Sequence, residues 1–113
     1  MRFFFKICTG AEWAEARASG VFGGSALDHR DGFIHLSAAA QARETAARHF
    51  AGQGELVLIA FAGGGLANLK WEPSRGGGLF PHVYGTIPVA AAAWVKDLPI
   101  VDGVHQFPDE AGV

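Results

Sequence analysis

The run ELVLIAF, residues 55–61, limits the architecture more than any other segment. After its opening Glu55 it holds no polar position. A strand with one face in water alternates polar and apolar residues, so this run reads as a strand covered on both faces. The rest of the chain must then supply two apolar layers. It has the material, since half of the 113 residues are apolar and 18% are charged. A single domain of this size buries roughly 65% of the surface its unfolded chain exposes, enough for a core without metal or disulfide support.

The flanking segments supply partners for that strand. FFFKIC, residues 3–8, is aromatic-rich and reads as the first strand. TGAEWAEARASG reads as a helix capped by Thr9, with Glu12 three residues on, Gly20 closing it and Trp13 as a core anchor. Residues 21–32 read as a turn-rich loop. FIHLS is a second strand, and Ser37 is placed to cap a helix over AAAQARETAARHF. LKWEP, LFPHVYG and AWVKDLPI read as later strands, with SRGGG a turn and Pro88 opening one helical turn. One domain is expected over 1–113, with 103–113 a loosely held tail. Two helices near the start among many strands give an α+β fold with mainly antiparallel sheets.

Several function classes are disfavoured. The net charge of -2, without a run of like charges, gives no nucleic-acid footprint. No stretch approaches the ~20 apolar residues of a membrane span, and the N-terminal run is too short for a signal peptide. The single cysteine, Cys8, excludes an intrachain disulfide, suits a reducing compartment and reads as an inert core thiol. A cytoplasmic protein, monomer or homodimer, is the expectation. The five histidines lack the paired spacing of a zinc site, so no metal is expected, and phosphate-loop and nucleophile-elbow motifs are missing.

Strand alternation singles out the candidate site. Phe33, His35 and Ser37 face one way in FIHLS, and Phe80, His82 and Tyr84 share a face in LFPHVYG. Two strands thus carry matched aromatic–histidine–hydroxyl stripes. Facing one hollow, they make a pocket of apolar walls with a few placed polar groups. Taken alone, each histidine reads equally as a half-buried strand residue bonded to a neighbour. His29 and His49 read as solvent-facing or capping residues, and His105 belongs to the tail. Glu72, with Lys70, points opposite to Leu69 and Trp71, and suits a ribose hydroxyl, a developing cation or an exposed ion pair. Arg75 beside three glycines suits a phosphate, and equally a hairpin tip.

The motifs DGFIHLS and KWEPSRGGGLFPHVYG, with most of the remaining chain, resemble the domain-of-unknown-function family 952. That resemblance implies a divergent branch of the ADP-ribosyltransferase-like fold, two small antiparallel sheets around a cleft that holds NAD in active relatives. Such enzymes use a His or Arg on the first strand, a Tyr- or Ser-type residue on a middle strand and a late Glu. A related RNA 2'-phosphotransferase branch uses Arg and His. Here the first position falls on Lys6, which is neither. The middle one falls near His35 or Ser37, and the late one on Glu72 or on His82 and Tyr84. The resemblance therefore implies a nucleotide- or NAD-related transferase with His35, Glu72 and His82 as catalytic candidates. Lys6, Ser37, Trp71, Arg75 and Tyr84 are the binding candidates, and NAD the co-substrate. A non-catalytic nucleotide or metabolite binding module and a protein-interaction domain are the alternatives.

Overall fold

The computed structural model describes residues 2–113, with the side chain of Arg75 outside the described residues. In chain order the elements are β1 (Phe3–Thr9), α1 (Gly10–Ser19), β2 (Val21–Phe22), α2 (Ala26–Asp31), β3 (Ile34–His35), α3 (Ala42–His49) and β4 (Leu56–Ala62). There follow β5 (Leu69–Pro73), β6 (Leu79–Val83), β7 (Ile87–Pro88), β8 (Ala92–Leu98), β9 (Ile100–Val101) and β10 (Val104–His105). Every strand pair is antiparallel. The mixed fold of antiparallel sheets and few helices agrees with the α+β expectation.

The run at 55–61 becomes β4, the central strand of a sheet ordered β1-β4-β8. Both of its faces are covered, as its composition requires. Ile59 and Phe61 join Phe4, Cys8, Trp13, Phe22, Ile34 and Val83 in one core. Leu56, Leu58 and Ala60 join Phe5, Ile7, Ala42, Ala46 and Leu98 in another. Phe61 is fully buried, and truncating such a ring to Ala costs about 3–5 kcal/mol.

A second sheet is ordered β3-β6-β5. The FIHLS segment joins it to the first. Ser37 N–H donates to the Phe5 carbonyl at 2.9 Å, and Phe5 N–H donates back to Ser37 at 2.8 Å. One residue earlier, Leu36 N–H donates to the Pro81 carbonyl at 3.0 Å. One short segment therefore pairs with β1 on one side and β6 on the other, and a cleft forms where the sheets diverge.

Local chemistry explains most elements. Thr9 and Glu12 form a reciprocal capping box, and α1 ends on Gly20 at φ 92°. Between 21 and 32, where a loop is expected, Ser25 and Asp28 form a second capping box and start α2, which Gly32 ends at φ 85°. Ser37 does not cap the next helix. Its hydroxyl lies 2.8 Å from Thr45 Oγ1, and the Gln41 side chain accepts from Ala38 N–H instead. The SRGGG turn needs left-handed backbone at Gly76 and Gly77, φ 78° and 82°, which only glycine adopts without strain.

The expected loose tail is docked. Asp102 and Gly103, both at positive φ, turn β9 into β10, the Asp-Gly signature of a tight hairpin. His105 is buried and donates from Nε2 to the Gln53 carbonyl at 2.9 Å. Ala111 is buried in the second core, and Arg43 holds the Val113 carbonyl at 2.9 Å. Apolar burial on the β4 face opposite α1 is what binds this segment.

Candidate functional site

The matched stripes meet. His35 of β3 lies directly opposite His82 of β6, which in turn pairs with Lys70 of β5. The two imidazoles are 5.4 Å apart, edge to face. Phe33 sits over both, 4.6 Å from His35 and 4.1 Å from His82, and stacks on Tyr84 at 5.4 Å. Strand alternation and cross-strand register together put these side chains on one face of the second sheet.

On that face Glu72 Oε1 accepts from His82 Nδ1 at 2.9 Å and from the Tyr84 hydroxyl at 2.8 Å. The His82 bond is the main cause that lowers the Glu72 carboxyl below its usual range, with Tyr84 second. Reciprocally, the bond to Glu72 raises the Tyr84 phenol, which loses a donated hydrogen bond when it ionises. His82 is 3% exposed. Glu72 fixes the proton on Nδ1, so in the neutral ring Nε2 is a bare acceptor. That Nε2 is fully buried and has no hydrogen-bond partner among the described residues. Unpaired buried nitrogens cost roughly 1–3 kcal/mol and are rare in native folds.

His35 is held from the other side. Its Nδ1 lies 2.6 Å from Asp28 Oδ1 and its Nε2 3.0 Å from Asp31 Oδ2. Asp28 also accepts from His35 N–H at 3.0 Å and from Ser25 N–H at 2.8 Å. Burial pushes the Asp28 carboxyl up, but the His35 bond and the Lys6 charge outweigh it and hold the group well below the carboxylate range. The Lys6 ammonium donates to Asp28 Oδ1 at 3.0 Å, to Asp28 Oδ2 at 2.8 Å and to the His35 carbonyl at 3.0 Å.

His35, His82 and Lys6 border a cavity of about 850 Å³ at the edge of β1 away from β4, walled by α2, α3, the FIHLS segment and β6. Its lining includes Phe5, Phe80, Ser37, His35, His82 and the two guanidinium-bearing residues Arg30 and Arg48. Thr45 spends its proton on the Gln41 carbonyl at 3.0 Å, so Ser37 donates to Thr45 and its own lone pairs stay available. Among the described residues no group of three or more His, Cys, Asp or Glu is arranged to hold a metal ion, and no helix is long and apolar enough to cross a membrane.

The structure thus brings together His35, His82, Ser37, Glu72 and Tyr84, the last two reaching the cavity wall through His82. Two expected contacts move elsewhere. Lys6, a binding candidate, has all three ammonium donors committed to Asp28 and His35, because a buried cation needs such partners. Trp71, read as a binding residue, lies on the opposite face of its strand, edge-on to Phe4 at 5.7 Å and under the Arg2 guanidinium at 4.8 Å. The proposed Arg75 phosphate contact lies outside the described residues. Cys8 is buried, and desolvation pushes its thiol up to about 12, matching the inert reading. Asp28 and Asp31 are missed by sequence reasoning. The Ser25-to-Asp28 spacing of a capping box is the signal that could have found the first.

Comparison with known proteins adds kinship. The chain is similar to the crystal structure of protein CC0527 from Caulobacter crescentus, at 49% identity and TM-score 0.91, covering 98% of this chain and 99% of that one. The solution NMR structure of the same protein matches at 50% identity and TM-score 0.83, over 97% of each chain. No curated protein matches. Residues 7–95, which contain the whole FIHLS–LFPHVYG face, match the family model described as "Protein of unknown function (DUF952)", and the chain belongs to that family.

Proposed function

We propose that the cavity binds a nucleotide-like small molecule and that His82 performs acid–base chemistry on it, in the manner of an ADP-ribosyltransferase-like site. One observation carries this reading: the buried, unpartnered Nε2 of His82, oriented through Nδ1 by Glu72. A carboxylate that orients an imidazole and stabilises its protonated form is the usual support for a general base. Nε2 would take a proton from a ligand hydroxyl or water and return it to a leaving group. The apolar walls and the Arg30 and Arg48 guanidinium groups suit a ring joined to a phosphate.

A non-catalytic binding module is the second reading, and the ion pair between Lys6 and Asp28 favours it. The first-strand position that meets the cofactor in active relatives of the fold is here used up internally. Thermal-shift titration with NAD, ADP-ribose and a 2'-phosphorylated nucleotide, with chromatography of each mixture, tests both. Ligand-dependent stabilisation supports the site. Turnover that falls about 10²–10⁴-fold in His82→Ala supports the acid–base role. A flat response to all three ligands refutes the nucleotide reading.

A further inference from the structure

Arg30 and His35 converge on one carboxylate, that of Asp31. Arg30 Nε meets Oδ1 at 3.1 Å, and His35 Nε2 meets Oδ2 at 3.0 Å. All three residues line the cavity. A guanidinium and an imidazole that donate to the two oxygens of one anion form an anion site. In the free protein it is filled from within, by a residue of the same short helix that carries Arg30. We infer that this is a subsite for a phosphoryl or carboxylate group, and that Asp31 is its internal occupant, displaced when the anionic ligand enters.

Two further observations favour an exchangeable occupant over a fixed clamp. The Asp31 and His35 side chains are 30% and 26% exposed, whereas the Asp28 side chain on the other nitrogen of His35 is 1% exposed. One carboxylate is locked in the core and the other stands at the cavity mouth. Independently, the buried His82, whose Nε2 has no partner among the described residues, lines the same cavity, with its ring 5.4 Å from that of His35. A ligand whose anionic group takes the place of the Asp31 carboxylate would bring its neighbouring atoms to the His82 ring. Arg30 has four N–H donors beyond Nε, so it can hold the displaced carboxylate and the incoming anion together.

The inference rests on the nucleotide reading only for the larger ligand, so the test uses two probes. Inorganic phosphate and ADP-ribose are titrated calorimetrically into the wild type, Asp31→Asn, and Asp31→Asn combined with Arg30→Gln. Asn keeps the shape and one acceptor for His35 Nε2 while removing the competing charge. The expected result is about fivefold tighter binding of both probes to Asp31→Asn, the scale of one half-exposed ion pair. That gain should vanish when Arg30→Gln is added. Unchanged or weaker binding in Asp31→Asn overturns the inference and makes Asp31 a clamp that orients His35. If phosphate tightens and ADP-ribose binds neither protein, the subsite stands and the nucleotide reading falls. If ADP-ribose binds the wild type with no gain in the variant, the reading stands and the subsite falls. No binding of either probe to any of the proteins overturns both.

Discussion

Replacing Lys6 by Met tests whether the buried ion pair organises the cavity edge. Met has nearly the same length and no charge, and it would sit between Phe4 and Cys8 on the core-facing side of β1. The substitution leaves the Asp28 carboxylate, 1% exposed, without its cation. Breaking a buried pair from one side costs about 3–5 kcal/mol. Asp28 keeps the two backbone N–H groups and the imidazole of His35, so the lower end, about 3 kcal/mol, is expected. A chain of this length has roughly 6–17 kcal/mol in total, so the variant folds, and its Tm falls by about 12 °C. Urea titration with an unchanged slope gives the difference directly.

The pH dependence sharpens the test. The folded Asp28 carboxyl lies below its ordinary value of 3.8, so its contribution is complete above that pH and is lost as pH falls through the depressed folded value. Removing Lys6 removes part of that depression. The gap between wild type and Lys6→Met is therefore constant near neutrality and narrows below about pH 4 as the carboxylate is protonated in both. A neutral-pH loss under about 1 kcal/mol, or a gap that ignores acid, would refute the claim that the pair holds this corner together.

Two further substitutions probe the opposite wall. His82→Phe removes the unpaired nitrogen and fills the same space beside Phe33 and His35, so stability should hold or rise by up to ~1 kcal/mol in urea while any ligand-induced thermal shift disappears; a clear loss of stability would mean that the Glu72 bond matters more than the orphan costs. Tyr84 is the only tyrosine, so near-ultraviolet titration reports its phenol alone. Glu72→Gln weakens the hydrogen bond that chiefly raises it and removes the charge that adds to it, so the transition should shift down towards 10.0; an unmoved transition would deny the Tyr84–Glu72 bond in solution.

Much of this site was legible because strands alternate. The period of two puts His35 with Phe33 and His82 with Tyr84, and antiparallel pairing then sets the histidines opposite each other. The unbroken apolar run at 55–61 likewise announces a central strand. What escaped reading depends on contacts distant in sequence. Alternation places Lys6 on the Phe4–Cys8 face and so implies a buried cation. Its partner lies 22 residues away, in a segment whose glycines and charges look like loop. Alternation already sets Trp71 on the face opposite Glu72, and the structure keeps it there, against Phe4. The tail escaped because docking is a property of the β4 face beneath it, although Asp102–Gly103 carried a hairpin signal of its own.

The geometry of the two histidines follows from the backbone that joins the sheets. His35 is flanked by Leu36, bonded to β6 through Pro81, and by Ser37, bonded to β1 through Phe5. A shift of β3 by one residue would break both connections and turn His35 to the other face. The ring is thus placed by main-chain bonds on both sides, and Asp28 then fixes its rotation through a contact to Nδ1 and another to the His35 N–H. His82 has the same construction on the neighbouring strand, with Glu72 in the part of Asp28. Each imidazole is oriented through Nδ1 by a carboxylate and differs in what meets Nε2: Asp31 at the mouth for His35, no described residue for His82. A fold that needed these rings only as filler would have no use for two carboxylates aimed at them, since Phe would pack there without leaving a nitrogen unpaired. The two Nε2 atoms thus end in different surroundings, one meeting an anion at the cavity mouth and the other buried with no partner among the described residues.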